Sequence, residues 1–272
     1  MSRPIRVGMW ILVFFATAYL AVLAILWSQQ ERFIYPAPRA IGPTTGGFEE
    51  IAYRTDDGLL LNAGYRPSRA GSPTILYFHG NGADWVSSVV ATDRLVPEGY
   101  GVLAAEYRGY RGNPGNPSEE GLYRDGRAAI DYLKQNGLAE QDIVIIGNSI
   151  GSGVAVQMAR EIEPMALVLV SPFSSLAGLV AEKFRWLPTS LLLRDRYDNA
   201  AKLADIRSDI LILHGDADSL IPYDHAQRLA AANPRAKVKI FRGAGHDLAW
   251  HDVAEEAVLN FLGERTYSEG TQ

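Results

Sequence analysis

Residues 143–161 read IVIIGNSIGSGVAVQMARE. Residues 143–146 are four branched apolar side chains in a row, the pattern of a strand buried on both faces. From Ile150 to Glu161 the pattern changes to a helical one. Between the two lies Gly147-Asn148-Ser149-Ile150-Gly151. A strand that becomes a helix within so few residues crowds its neighbours, so glycines flank the turn and the serine hydroxyl projects above the sheet. The backbone N–H groups that follow open a helix, where developing negative charge is stabilised.

Outward from this turn the chain alternates. Residues 74–78, 102–107, 166–170, 210–213 and 238–241 are strand-like, and 84–95, 118–136, 224–232 and 249–262 are helical. Ser118 suits a helix N-cap and Gly137 a helix stop. Such alternation, with several wholly apolar strands, implies an α/β fold: a mostly parallel sheet with helices on both faces. Ahead of it, 49–54 and 59–66 flank Asp57-Gly58, a hairpin signal. Residues 173–205 break the alternation, carrying Phe184, Trp186, Leu187 and Leu191 to Leu193 with no strand-like unit. They are expected to form a lid-like helical insertion over one end of the sheet.

A serine hydroxyl is a weak nucleophile and needs a base. Of the five histidines, His246 lies in Gly243-Ala244-Gly245-His246-Asp247, a loop after the last strand and free to reach a serine at the sheet's carboxyl edge. His251 is read as structural within the last helix, His225 as solvated in a first helical turn, and His214 as a packed core group. The carboxylate that orients the base is sought in HGDADSLIP, residues 214–222. Asp216 and Asp218 both qualify, one as the acid and the other as a turn residue, and spacing does not choose between them. An oxyanion site needs a second donor from the loop after an early strand. His79-Gly80-Asn81-Gly82 follows TILYF, so the expected donors are the backbone N–H groups of Asn81 and Ile150.

At the amino terminus, residues 7–27 form a charge-free apolar run, VGMWILVFFATAYLAVLAILW. As a helix it spans roughly 31 Å, close to the ~30 Å hydrocarbon core of a bilayer. Trp10 and Trp27 sit near its ends, where indoles favour the interface. The apolar run continues well past Ala16-Thr17-Ala18, so an uncleaved anchor fits better than a signal peptide. The expected organisation is a cytoplasmic tail at 1–6, a transmembrane anchor at 7–27, a linker at 28–47, the folded domain at 48–264 with its insertion at 173–205, and a tail at 265–272. The charge bias around the anchor favours a cytoplasmic amino terminus and an extracytoplasmic domain.

Of the 272 residues, 26 are basic and 31 acidic, a net charge of −5. Nothing is basic enough to track a phosphate backbone, which sets nucleic acid aside as a partner. With no cysteine there are no disulfides, thiolate metal sites or cysteine nucleophiles.

HGNG at 79–82, EYRGYRGNPGNPSEEGL at 106–122, GNSIG, HGDADSLIP and GAGHD, in this order, resemble the α/β-hydrolase superfamily. Within it they are similar to membrane-anchored serine hydrolases of the depalmitoylase-like and serine-aminopeptidase-like branches. The resemblance covers about residues 48–264 and implies an eight-stranded sheet whose second strand runs antiparallel. It places the acid at Asp218, since HG-x-x-D-x-x-x-P matches through Pro222, the base at His246 and the nucleophile at Ser149. Arg111 departs from the pattern, because relatives often carry glycine there, and Asp247 stands where near relatives often have asparagine.

The implied activity is hydrolysis of a carboxylic ester or thioester through an acyl-enzyme, with no metal or organic cofactor. Phe173, Trp186 and Leu187 are candidate contacts for a small acyl or lipid-like substrate. Glu119-Glu120, the carboxylate pair an aminopeptidase-like enzyme would need for a substrate amine, is better explained by a helix start. An amide hydrolase is therefore the alternative, and a membrane-tethered binding protein on the same scaffold is the alternative from another class.

Overall fold

A computed structural model describes residues 3–38 and 46–269. The chain opens with helix α1 (Arg3–Ile34), followed by β1 (Glu49–Arg54), β2 (Leu60–Arg66), β3 (Thr74–Phe78), α2 (Trp85–Val90), β4 (Gly101–Ala105) and α3 (Glu119–Gln135). Next come β5 (Ile143–Asn148), α4 (Gly151–Glu161), β6 (Ala166–Val170) and three short helices, α5 (Leu176–Lys183), α6 (Thr189–Leu192) and α7 (Asn199–Leu203). The chain continues through β7 (Asp209–Gly215), α8 (Asp224–Ala232), β8 (Ala236–Phe241) and α9 (Asp252–Glu269).

The eight strands form one sheet in the order β1-β2-β4-β3-β5-β6-β7-β8. β2 is antiparallel to both neighbours and every other pair is parallel. The expected eight-stranded α/β-hydrolase architecture is thus present. Strand alternation divides the core in two: Leu76 and Phe78 of β3 pack on one face, Ile75 and Tyr77 on the other. All four are buried, and truncating a residue such as Leu76 to alanine costs about 2–5 kcal/mol.

Four local differences from the sequence reading have physical causes. The helix expected at 84–95 stops at Val90, and the Thr92 hydroxyl donates back to the Ser88 carbonyl at 2.9 Å, a bond that competes with helix continuation. The strand expected at 102–107 ends at Ala105, and just beyond it the Glu106 carboxylate takes the Tyr107 N–H at 3.0 Å. The last helix begins at Asp252 after a single 3₁₀ turn at Leu248–Trp250, which leaves His251 before the helix and not within it. α1 continues to Ile34, so the stretch expected to be an irregular connector from residue 28 is helical through that point. Part of that connector, 39–45, lies outside the described residues, as do residues 1–2 and 270–272 of the two tails. Among the described residues α1 is the one helix long and apolar enough to cross a membrane.

Candidate active site

Ser149 sits between β5 and α4 with φ +52°, in the left-handed region. Its N–H donates to the Val170 carbonyl of the neighbouring strand at 3.0 Å, which fixes the elbow against β6. The turn closes because of its glycines. A Cβ at Gly151 would lie 2.2 Å from the Phe78 carbonyl oxygen, and one at Gly147 would lie 2.5 Å from Ala155 Cβ.

The loop after β8 brings His246 to this serine, with Nε2 3.0 Å from Ser149 Oγ. On the other side of the ring, His246 Nδ1 donates to Asp218 Oδ2 at 2.8 Å. Asp218 Oδ1 accepts the backbone N–H groups of Leu220 and Ile221 at 2.9 and 2.8 Å. Burial opposes its ionisation, but hydrogen bonds from His214, His246 and the Ile221 N–H outweigh burial and hold the carboxyl well below the usual carboxylate range.

Asp216 turns elsewhere. Its Oδ1 accepts the Gly243 N–H at 2.6 Å and ties down the loop that carries His246. The two aspartates that spacing left equivalent therefore divide into a partner of the imidazole and a staple for its loop. His214 is fully buried, as expected of a core group, but it also meets the site: its Nε2 donates to the Ile221 carbonyl at 2.9 Å and lies 3.4 Å from Asp218 Oδ2. No spacing rule pointed to that contact.

Asn81 and Ile150 both line the cavity beside the serine. Ile150 is the N-cap of α4, ahead of the first intrahelical bond, where backbone donors have no partner within the helix. The Asn81 loop is braced by His79, whose Nε2 lies 2.7 Å from Glu106 Oε1 and whose Nδ1 lies 2.9 Å from the Gly80 carbonyl. Both ring nitrogens face acceptors, an arrangement suited to the doubly protonated ring. Burial lowers the pKa of this imidazole, yet the Glu106 carboxylate prevails and raises it above its ordinary value.

The cavity measures about 540 Å³, within the ~300–1,000 Å³ typical of small-molecule sites. Phe173, Trp186 and Leu187 are on its wall. Its opposite wall is α1 itself, which contributes Val22, Leu26, Gln30, Phe33 and Ile34. The apolar run looked like a tether alone, and nothing in its composition shows which face packs against the domain.

Other readings change in the folded protein. His225 is buried, not solvated: its Nδ1 accepts the Ser174 N–H at 3.1 Å, and Glu182 of the insertion approaches its Nε2 at 3.3 Å. Glu119 does more than complement a helix start. Its Oε2 accepts the N–H groups of Arg196 and Tyr197, and its Oε1 accepts the Tyr123 hydroxyl at 2.7 Å, so it ties the insertion to α3. Arg111 has φ +45°, which accounts for the glycine that the family pattern often places there. Its guanidinium pairs with Asp84 at 2.8 Å and lies over the Trp85 ring. Among the described residues no group of three or more His, Asp or Glu side chains is arranged to hold a metal ion.

Residues 75–200 match the family described as the alpha/beta hydrolase family. The chain is 37% identical over 256 residues to the uncharacterized protein Rv2307c of Mycobacterium tuberculosis, an alignment covering 89% of this chain and 90% of that one. It is 29% identical over 255 residues to the uncharacterized protein YfhR of Salmonella typhi, covering 85% and 86%. In fold it is similar to the Pyrococcus furiosus esterase Pf2001, with a TM-score of 0.69 and 21% identity over 84% of this chain and 96% of that one. An alpha-beta hydrolase of Vibrio vulnificus also has a TM-score of 0.69, at 20% identity over 88% and 91%. The chain therefore has the alpha/beta hydrolase fold, and its residues 75–200 are similar to that family.

Proposed function

We propose that the protein is a membrane-anchored serine hydrolase that cleaves carboxylic esters or thioesters. The observation that carries this reading is the continuous chain from Ser149 Oγ to His246 Nε2 at 3.0 Å and from His246 Nδ1 to Asp218 at 2.8 Å. His246 takes the Ser149 proton as Oγ attacks the substrate carbonyl, and Asp218 holds the ring's tautomer and stabilises its cation. The backbone N–H groups of Asn81 and Ile150 receive the oxyanion; losing one such donor typically costs ~10²–10³ in rate. The tetrahedral intermediate collapses as the bond to the leaving oxygen or sulfur breaks and His246 protonates that atom. Water then repeats the sequence on the acyl-enzyme and releases the acid.

Esters and thioesters rank above amides because Glu119 already accepts from Arg196, Tyr197 and Tyr123 and is spent on holding the insertion. Helix α1 serves as the anchor, with its amino terminus cytoplasmic and the catalytic domain on the other side. A fluorophosphonate probe tests the reading. Labelling of the wild type that disappears in Ser149→Ala supports the enzyme, whereas a folded wild type that is never labelled points to a tethered binding protein.

A further inference from the structure

Helix α1 is gripped by the catalytic domain at several points along its length. The buried Gln30 amide donates to the Leu192 carbonyl at 3.3 Å and accepts the Arg194 N–H at 2.9 Å. Arg194 in turn donates to the Trp27 carbonyl, lies over the Trp27 ring at 4.3 Å and pairs with Glu31. About two turns nearer the amino terminus, the Tyr19 hydroxyl donates to the Trp186 carbonyl at 2.9 Å. These bonds join α1 to the insertion and leave between them the cavity whose floor is Asn81 and Ile150.

The lining chemistry selects the ligand. Val22, Leu26 and Phe33 of α1 face Leu179 and Trp186 of the insertion, and the polar side chains on the wall are Gln30 and Asn81. The amides of both already hold main-chain partners. A charged or hydroxyl-rich group entering here would lose water without gaining a counterpart. A hydrocarbon chain loses nothing and gains burial. Val22 and Leu26 also belong to the apolar run suited to a bilayer, so the cavity wall and the hydrocarbon-facing helix are one continuous surface. The rim repeats the pattern, since Phe33 is 68% exposed, Trp186 54% and Phe184 47%. Exposed apolar side chains clustered on one side mark contact with a membrane or another apolar surface.

We infer that this cavity binds the acyl chain of a long-chain, lipid-like ester or thioester, with the second half of α1 as one wall and the scissile carbonyl at the Asn81–Ile150 floor. The inference rests on the serine-hydrolase reading and adds the substrate class. A chain carried in the bilayer reaches a wall built from the bilayer-spanning helix without crossing water.

The test uses the full-length protein in phosphatidylcholine nanodiscs and p-nitrophenyl esters from acetyl to decanoyl. In the wild type, kcat/KM rises by about fourfold per methylene until the cavity is filled. Leu26→Trp fills the space beside the chain and lowers the decanoyl-to-acetyl ratio of kcat/KM by about tenfold or more. Val22→Trp, at a more exposed position, reports the same change should Leu26→Trp fail to fold. Fluorophosphonate labelling of Ser149 in each variant separates the two claims. Labelled proteins whose ratio is flat in the wild type, or unmoved by both tryptophans, overturn the acyl site and leave the hydrolase reading standing. A folded wild type without labelling removes both.

Discussion

The Asn81 side-chain amide donates to the main-chain carbonyl of Ile34 at 2.6 Å, joining the loop at 79–82 to the end of the apolar helix. Tyr110 completes the brace by donating its hydroxyl to Asn81 Oδ1 at 2.8 Å, and the Gly82 N–H reaches the Pro36 carbonyl at 3.2 Å. The backbone donor assigned to Asn81 is therefore positioned by α1. Asn81→Ala keeps that N–H and removes both side-chain bonds. Small displacements of such groups cost up to ~10² in rate, so kcat on a short ester falls by about ten- to a hundredfold with little change in KM. Steady-state kinetics check this, and a wild-type kcat in a folded Asn81→Ala protein contradicts it.

Asp218 stays ionised because two histidines and two backbone N–H groups converge on it. With its folded pKa depressed, its contribution to stability is fully present above about pH 3.9, the unfolded value, and is lost as pH falls toward the folded one. Replacing it with asparagine leaves the shape intact and favours the wrong tautomer of His246. The expected loss in kcat is about 10⁴. Asp216→Asn, at a side chain that accepts the Gly243 N–H while His246 bonds Asp218, is expected to cost far less. Comparing the two variants on one ester substrate decides which aspartate serves the base.

The His79–Glu106 pair lies wholly inside the protein, with a separation of 2.7 Å. Glu106 also accepts the N–H groups of Trp85 and Tyr107 at 3.0 Å each. Because the folded pKa of His79 is raised, the pair's stabilisation is fully present below about pH 6.5 and is lost as pH rises through the folded value. Glu106→Gln leaves a buried imidazole without its counter-charge and is expected to cost about 3–5 kcal/mol at pH 6. Unfolding in detergent at pH 6 and pH 9 measures the effect. The difference between wild type and variant should shrink at the higher pH, and a gap that widens there would show the sign to be wrong.

The elements legible in the sequence were those whose signal is local. GNSIG announces itself because its geometry needs glycine at 147 and 151, and the contacts a Cβ would make there are with Phe78 and Ala155. The parallel strands were legible because burial on both faces leaves uninterrupted apolar runs, as in β3, β5 and β6. What depended on tertiary partners was not. His225 looks solvated from its place in a first helical turn, yet its ring is enclosed by Ser174 and Glu182, distant in sequence. Glu119 looks like a dipole partner, yet it receives two N–H groups from the insertion. Likewise, an apolar helix carries no mark of the face that packs on Trp186 and Leu192, because lipid and a protein cavity reward the same side chains.

Ser149 itself holds the last relationship. Its φ of +52° is a conformation that L side chains adopt at a cost, and glycine adopts freely. Ser149→Ala removes the hydroxyl and keeps the strain, whereas Ser149→Gly removes both. Relief of a left-handed non-glycine residue is worth about 1–2 kcal/mol, reduced by the ~0.4–1 kcal/mol of extra freedom that glycine brings to the unfolded chain. The glycine variant should therefore unfold up to about 6 °C above the alanine variant, and neither is expected to turn over substrate. Thermal unfolding of the two proteins side by side measures the difference. A glycine variant that unfolds below the alanine variant would mean that the elbow stores no strain, and that the hydroxyl's exposed position costs the fold nothing.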